Sequence, residues 1–212
     1  MDNKKNTILL TVIAVATLLV AVVGATFAYF TAQGGDAVSK NVTVQTGTAG
    51  NSSFEIDGAI NIYADATTFA QGKGDATGSS NGTVSFTAPG AVGGQTPDAA
   101  DLQFCYSVSL NITANDFKYT VNNSTPELTL DVTKAGTAVI SNMDITIKTG
   151  EIKVPTAAGE TTYVHKITAD AGATVTEAWK TTVTLHNLDS DQNDNTGKSL
   201  AGVLKFDKAT CA

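Results

Sequence analysis

The sequence predicts an all-β protein, a single β-sandwich of jelly-roll type preceded by an N-terminal apolar signal helix, and three observations carry that expectation. Past residue 40 the chain is rich in Thr, Val, Ala, Gly and Asn, which favour strands and turns over helices. Leu102, Phe104, Tyr106, Val108, Leu110 and Ile112 alternate with Gln103, Cys105, Ser107, Ser109 and Asn111, the period of a strand with one buried face. One long apolar run, Ile8 to Val23, follows Lys4 and Lys5 in the order of an export signal.

The leader comes first along the chain. Its apolar run is broken only by Thr11 and Thr17. Counted on through Phe30 it approaches the roughly 20 residues that cross a bilayer as a helix. The stretch Ala25-Thr26-Phe27-Ala28 favours removal over anchoring, because Thr26 and Ala28 put small side chains where a signal peptidase accepts them. Cleavage after Ala28 leaves Tyr29 as the new N-terminus. The expected organisation is a cleaved signal peptide over 1–28, an arm over 29–46 and a sandwich domain over 47–212. Membrane attachment is expected only through an uncleaved leader.

The arm reads YFTAQGGDAVSKNVTVQT, a polar, Gly-containing lead followed by a short alternating strand. Such a segment can add to an open sheet edge on another molecule, with Val38, Val42 and Val44 as apolar plugs. The other reading makes it an ordinary first strand of its own domain. Further strands are expected around Phe54 and Ile56, Val84 and Phe86, Leu102 to Ile112, Leu128 to Val132, Ile145 and Ile147, and Trp179 to Leu185. Residues 70–82 and 88–101, Gly-rich and polar, read as loops. Residues 169–179 have room for a short helical turn.

Charge narrows the partners. All 13 basic residues are Lys, the net charge is −7, and no basic cluster follows the first five positions. Nucleic acid is therefore not an expected partner. His165 and His186 fall on predicted strands without HExxH spacing, and the chain has no GxSxG elbow or P-loop. No catalysis and no cofactor are expected. Trp179, alone on an alternating strand, reads as core rather than as a sugar platform.

Two smaller constellations remain. Residues LDSDQNDNTGKS begin like a calcium loop, with Asp189, Asp191 and Asn193 at alternate positions. Asp194 then stands where Gly belongs, and Leu200 where the bidentate Glu belongs. An Asn/Asp turn is the expected reading, with a weak calcium site as its alternative. Cys105 and Cys211 are the only cysteines, and an even count in an exported chain predicts a bridge stapling the C-terminus to the sandwich, two separate thiols being the other possibility.

The leader resembles those cut by the SipW-type signal peptidase of Gram-positive bacteria, in the TasA/camelysin-like family. Gly24, Thr26, Phe27, Ala28 and Phe30 carry the likeness. Residues 182–206 are similar to that family's closing strand, Asn/Gln-rich loop and final strand. The resemblance implies secretion to the extracellular matrix or cell surface, with the peptidase as a partner during export. It also implies a role as a subunit of a cell-surface or biofilm-matrix fibre, a head-to-tail homopolymer joined by donation of each mature N-terminus. Some camelysin-type relatives carry a metalloprotease label, for which this chain offers no recognisable ligand set. The alternative is a monomeric or membrane-anchored adhesin, or a carbohydrate-binding sandwich.

Overall fold

The structure, a computed structural model, describes residues 42–44, 50–91 and 95–211. The chain divides into Met1–Val38 and Ser39–Ala212, and the described residues belong to the second unit. The expected signal helix, the expected cleavage positions Thr26, Ala28 and Tyr29, and Val38 lie outside the described residues.

The described residues form strands β1 (Val42–Val44), β2 (Asn51–Ile56), β3 (Ala59–Tyr63), β4 (Ala76–Thr87), β5 (Gln103–Asn115), β6 (Leu128–Lys134), β7 (Thr137–Asp144), β8 (Gly150–Lys153), β9 (Val164–Thr168), β10 (Thr174–Leu185) and β11 (Ser199–Lys208). Every pairing is antiparallel. One sheet runs β1-β2-β4-β10-β6-β7, the other β3-β11-β5-β8, with β9 also on β5.

The sheets pack face to face because each long strand has one apolar side. On β5 the alternation predicted from sequence sends Phe104, Tyr106, Val108, Leu110 and Ile112 inward, all 5 % exposed or less. Opposite them, β10 contributes Trp179, Val183 and Leu185, and β6 contributes Leu128, Leu130 and Val132. Each such side chain stabilises the fold by about 1.5–3 kcal/mol relative to exposure. Phe86 of one sheet stacks on Phe104 of the other at 5.7 Å, and Phe54 stacks on Phe206 at 5.7 Å. Ring-on-ring contact of this kind leaves no room for a side chain at Gly82, whose Cβ would lie 2.5 Å from Phe206.

Three expectations change. Ile145 and Ile147 are not a strand: β7 ends at Asp144, and Lys148 N–H donates to Ile145 C=O in a turn. The Asp144 carboxylate drives this, accepting from Thr146 N–H as a turn-forming side chain does. Ile145 is buried all the same, while Ile147 is 63 % exposed. The loop expected over 70–82 ends at Asp75, and β4 occupies 76–87 despite its Gly and Ser, because β10 pairs with all twelve residues. Within 169–179 there is a turn at Asp170–Ala173, closed by Ala173 N–H to Asp170 C=O, followed directly by strand rather than helix.

Candidate functional site: an open strand edge

The two neighbours of β4 differ in length. On one side β10 pairs with it from Ala76 to Thr87; on the other β2 pairs only from Gly82 to Thr87. One further rung, Asp57 N–H to Asn81 C=O at 3.0 Å, ends that ladder. Gly58, at φ 150°, then carries the chain across into β3 of the other sheet.

In an antiparallel ladder the N–H and C=O of one residue point to the same side, and successive residues alternate. Since Asn81 turns its carbonyl toward β2, Ser79 and Thr77 turn both their groups the same way. Among the described residues those groups have no backbone partner, and both residues are exposed. The result is an open lane beside Ala76–Ser80, collinear with β2. It is closed at one end by Asp57. β3 passes inside it so closely that a Cβ on Gly78 would lie 3.0 Å from Ile60 and 3.2 Å from the Asn61 carbonyl. An unpaired edge is where an extended segment adds.

The closed end carries polar groups. Asp57 is exposed, and its Oδ2 accepts from Asn81 Nδ2 at 2.8 Å. Ser80 Oγ donates to Gly58 C=O at 2.8 Å, fixing the turn that shuts the lane. Val42 and Val44 lie one strand further out, in β1, where they pair with Phe54 and Ser52 of the same chain. This is the pairing of an ordinary first strand. Its direction means that the chain enters β1 from the Ile56 side.

The remaining sequence-predicted residues are distributed elsewhere. Cys105 and Cys211 are bridged, with Cα atoms 5.2 Å apart and a sequence separation of 106. A cavity of about 300 Å3 lies beside the bridge, floored by Phe86 and Phe104 and rimmed by Gly50, Ser52, Asp101 and Lys208. Asp189 and Asp191 do not converge: Asp189 accepts from Gly72 N–H at 3.0 Å, and Asp191 from Asn193 N–H at 3.1 Å. Asn193 begins a 3₁₀ turn ending at Asn195. Both carboxylates thus act as turn and loop fasteners. Among the described residues no three His, Cys, Asp or Glu side chains gather as a metal would require.

The histidines join two polar clusters that sequence reading did not find. His165 is 2 % exposed, its Nε2 3.2 Å from the Val154 carbonyl. It packs edge-on to Trp179 at 4.8 Å, and Trp179 Nε1 donates to Tyr106 Oη. Tyr106 in turn donates to Glu177, whose other oxygen pairs with Lys134 at 2.7 Å. Burial pushes the His165 imidazole below its ordinary value, and burial with the Glu177 hydrogen bond pushes the Tyr106 phenol well above its own. Trp179, 1 % exposed, is core and offers no sugar platform.

His186 lies just past β10, its Nδ1 2.8 Å from Asp75 Oδ2 and its Nε2 2.9 Å from Thr129 Oγ1. This acid–imidazole–hydroxyl order is met in hydrolases. Thr129 is only 5 % exposed, so its hydroxyl is closed to an approaching carbonyl, and the three residues instead tie β6, the end of β10 and the approach to β4 together. Nearby, the fully buried Glu127 accepts from Thr120 N–H at 2.8 Å, from the Thr120 hydroxyl at 2.5 Å and from the Gln192 amide. No sequence motif announces either cluster, because their members come from strands and loops far apart in the chain.

Comparison of the chain with protein-family models finds no match, and comparison with curated proteins finds none either.

Proposed function

We propose that this chain is an exported structural subunit of a cell-surface or biofilm-matrix fibre, without catalytic activity, assembled by donation of the mature N-terminal segment to the next copy. The observation that carries the reading is the half-paired β4, which offers an extended segment the N–H and C=O groups of Thr77 and Ser79. The likeness of the leader to SipW-processed proteins supplies the donor: cleavage after Ala28 frees residues 29–41 ahead of β1. A contact between a terminus of one copy and an edge of another does not close on itself, and it builds a filament. The sandwich is assigned to the jelly-roll type because successive strands from β2 to β6, and again from β9 to β11, alternate between the two sheets.

The test uses recombinant mature protein beginning at Tyr29, followed by sedimentation and electron microscopy. Filaments are expected from the full mature chain and none from the chain lacking residues 29–41, which keeps β1 and the sandwich. Ser79→Pro is expected to block assembly while leaving the monomer folded, since it removes a donor that no described residue uses and edge strands accept proline. Filaments from the deletion variant would refute donation.

A further inference from the structure

We infer that the lane beside β4 receives the donated strand antiparallel to β4, with the α-ammonium freed at Tyr29 seated against the Asp57 carboxylate, so that proteolytic cleavage itself creates the docking group. This rests on the fibre reading above and specifies its contact.

The shape of the lane sets the direction. β2 fills the line beyond Asn81, and the chain turns away at Asp57 and Gly58, so a segment lying beside Ala76–Ser80 cannot continue past Asp57. It must end there. A donated N-terminal segment therefore has its first residue at Asp57 and runs out at Ala76, opposite in direction to β4, as in every other pairing of this fold. The lane is five residues long, which Tyr29 to Gln33 fill. Eight residues, 34–41, then remain before the donor's own β1, enough to span roughly 26 Å when extended.

Charge and direction together select the occupant. Asp57 is exposed, with one oxygen on Asn81 and the other without a hydrogen-bond partner among the described residues. Glu55 lies on the neighbouring strand two residues away, and Lys180 faces Asn81 across the β4–β10 ladder. A terminal ammonium is complementary to this acidic end, whereas a C-terminal carboxylate is not. The same segment of its own chain, led toward Val42 from the Ile56 side, would meet the lane parallel to β4; a second copy meets it antiparallel. An unprocessed chain has no terminus at residue 29, and its preceding residues would run into Asp57 and Gly58.

The experiment pairs a peptide with the assembling protein. The probe is the heptapeptide YFTAQGG with a free amine, titrated into the protein lacking residues 29–41 and compared with its N-acetylated form. The free-amine peptide is expected to bind, and acetylation or Asp57→Asn in the protein is each expected to weaken binding about three- to fivefold, with no further loss when the two are combined. Asp57→Asn retains the partner of Asn81, and unchanged thermal unfolding would show that the fold is intact. In parallel, mature protein extended by two residues ahead of Tyr29 is expected to lose filament formation. Equal binding of both peptides, no binding of either, or normal filaments from the extended chain would overturn the terminus contact. If filaments vanish on deletion of 29–41 yet Asp57→Asn and acetylation change nothing, the fibre reading stands and this contact falls; if mature protein never assembles, the fibre reading falls while the peptide titration still decides the lane.

Discussion

Replacing Cys211 by Ser isolates the contribution of the bridge. Cys211 is exposed, so its loss leaves no cavity, and Cys105, 3 % exposed, remains inside as a small apolar side chain. What changes is the unfolded chain, in which a loop of 106 residues is no longer closed. Loop-closure entropy for that length comes to about 16 cal/mol/K, or about 4.8 kcal/mol at 25 °C. Against total stabilities of about 5–15 kcal/mol this decides whether the domain stays folded at elevated temperature. The folded-state cost is small, since the tail beyond β11 makes one backbone bond to the bridge strand, Ala209 N–H to Cys105 C=O at 2.9 Å. Urea unfolding followed by Trp179 fluorescence is the assay. The variant is expected to unfold at a much lower midpoint and with a steeper denaturant dependence, because its unfolded state is less compact. Reductant should shift the wild type to the variant's midpoint and leave the variant unmoved. A loss below about 1 kcal/mol with an unchanged slope would refute the claim that the bridge acts by restraining the unfolded chain.

Three further outcomes follow from the core. Gly82→Ala forces a methyl to within 2.5–2.9 Å of Phe206 and Leu204, and should cost about 1–3 kcal/mol in thermal unfolding; an unchanged Tm would mean that the two sheets slide apart freely at that point. Glu127→Gln turns an amide toward the Gln192 amide at a fully buried position, so it should lower stability by about 1–3 kcal/mol, and a variant as stable as wild type would contradict that hydrogen-bond assignment. His165 has its folded-state pKa depressed by burial below 6.5, so the unfolded chain binds the proton first. The stability this site contributes is then complete above about pH 6.5 and is lost as pH falls, by up to about 1.4 kcal/mol per unit, a slope that should disappear in His165→Gln and that a flat wild-type profile between pH 7 and 5 would exclude.

The strands legible in the sequence were those with a strong one-sided pattern. β5 shows five alternating apolar residues and β10 pairs Trp179, Val183 and Leu185 with hydroxyl residues between, and both lie close to where periodicity puts them. β4 was legible only in its second half, at Val84 and Phe86. Its first half faces inward with Ala76, Gly78 and Ser80, small because β3 crosses so near, and small residues carry no hydrophobic period. The same cause hid the lane, since a stretch that looks like a polar loop turned out to be an edge. Ile145 misled in the opposite sense, as a buried apolar residue held by a turn.

The donor side of the proposed contact is written in one continuous stretch, YFTAQGG, while the acceptor exists only because two strands distant in sequence differ in length. That asymmetry also sets what must hold the contact together. The lane offers four backbone groups at Thr77 and Ser79, about 1 kcal/mol net for each hydrogen bond, roughly 4 kcal/mol in all. Ordering five residues costs about 1–2 kcal/mol apiece, or roughly 5–10 kcal/mol. Hydrogen bonds alone therefore leave the segment out of the lane, and an exposed terminal ion pair adds less than about 1 kcal/mol. The difference has to come from Tyr29, which in this register stands opposite the inward-facing Ser80 while Phe30 stands opposite the exposed Ser79, and whose burial is worth about 1.5–3 kcal/mol. Tyr29→Ala, made in mature protein so that processing is not at issue and the terminal ammonium is kept, should then raise the critical concentration for filaments at least tenfold; filaments at the wild-type concentration would mean that another surface supplies the contact.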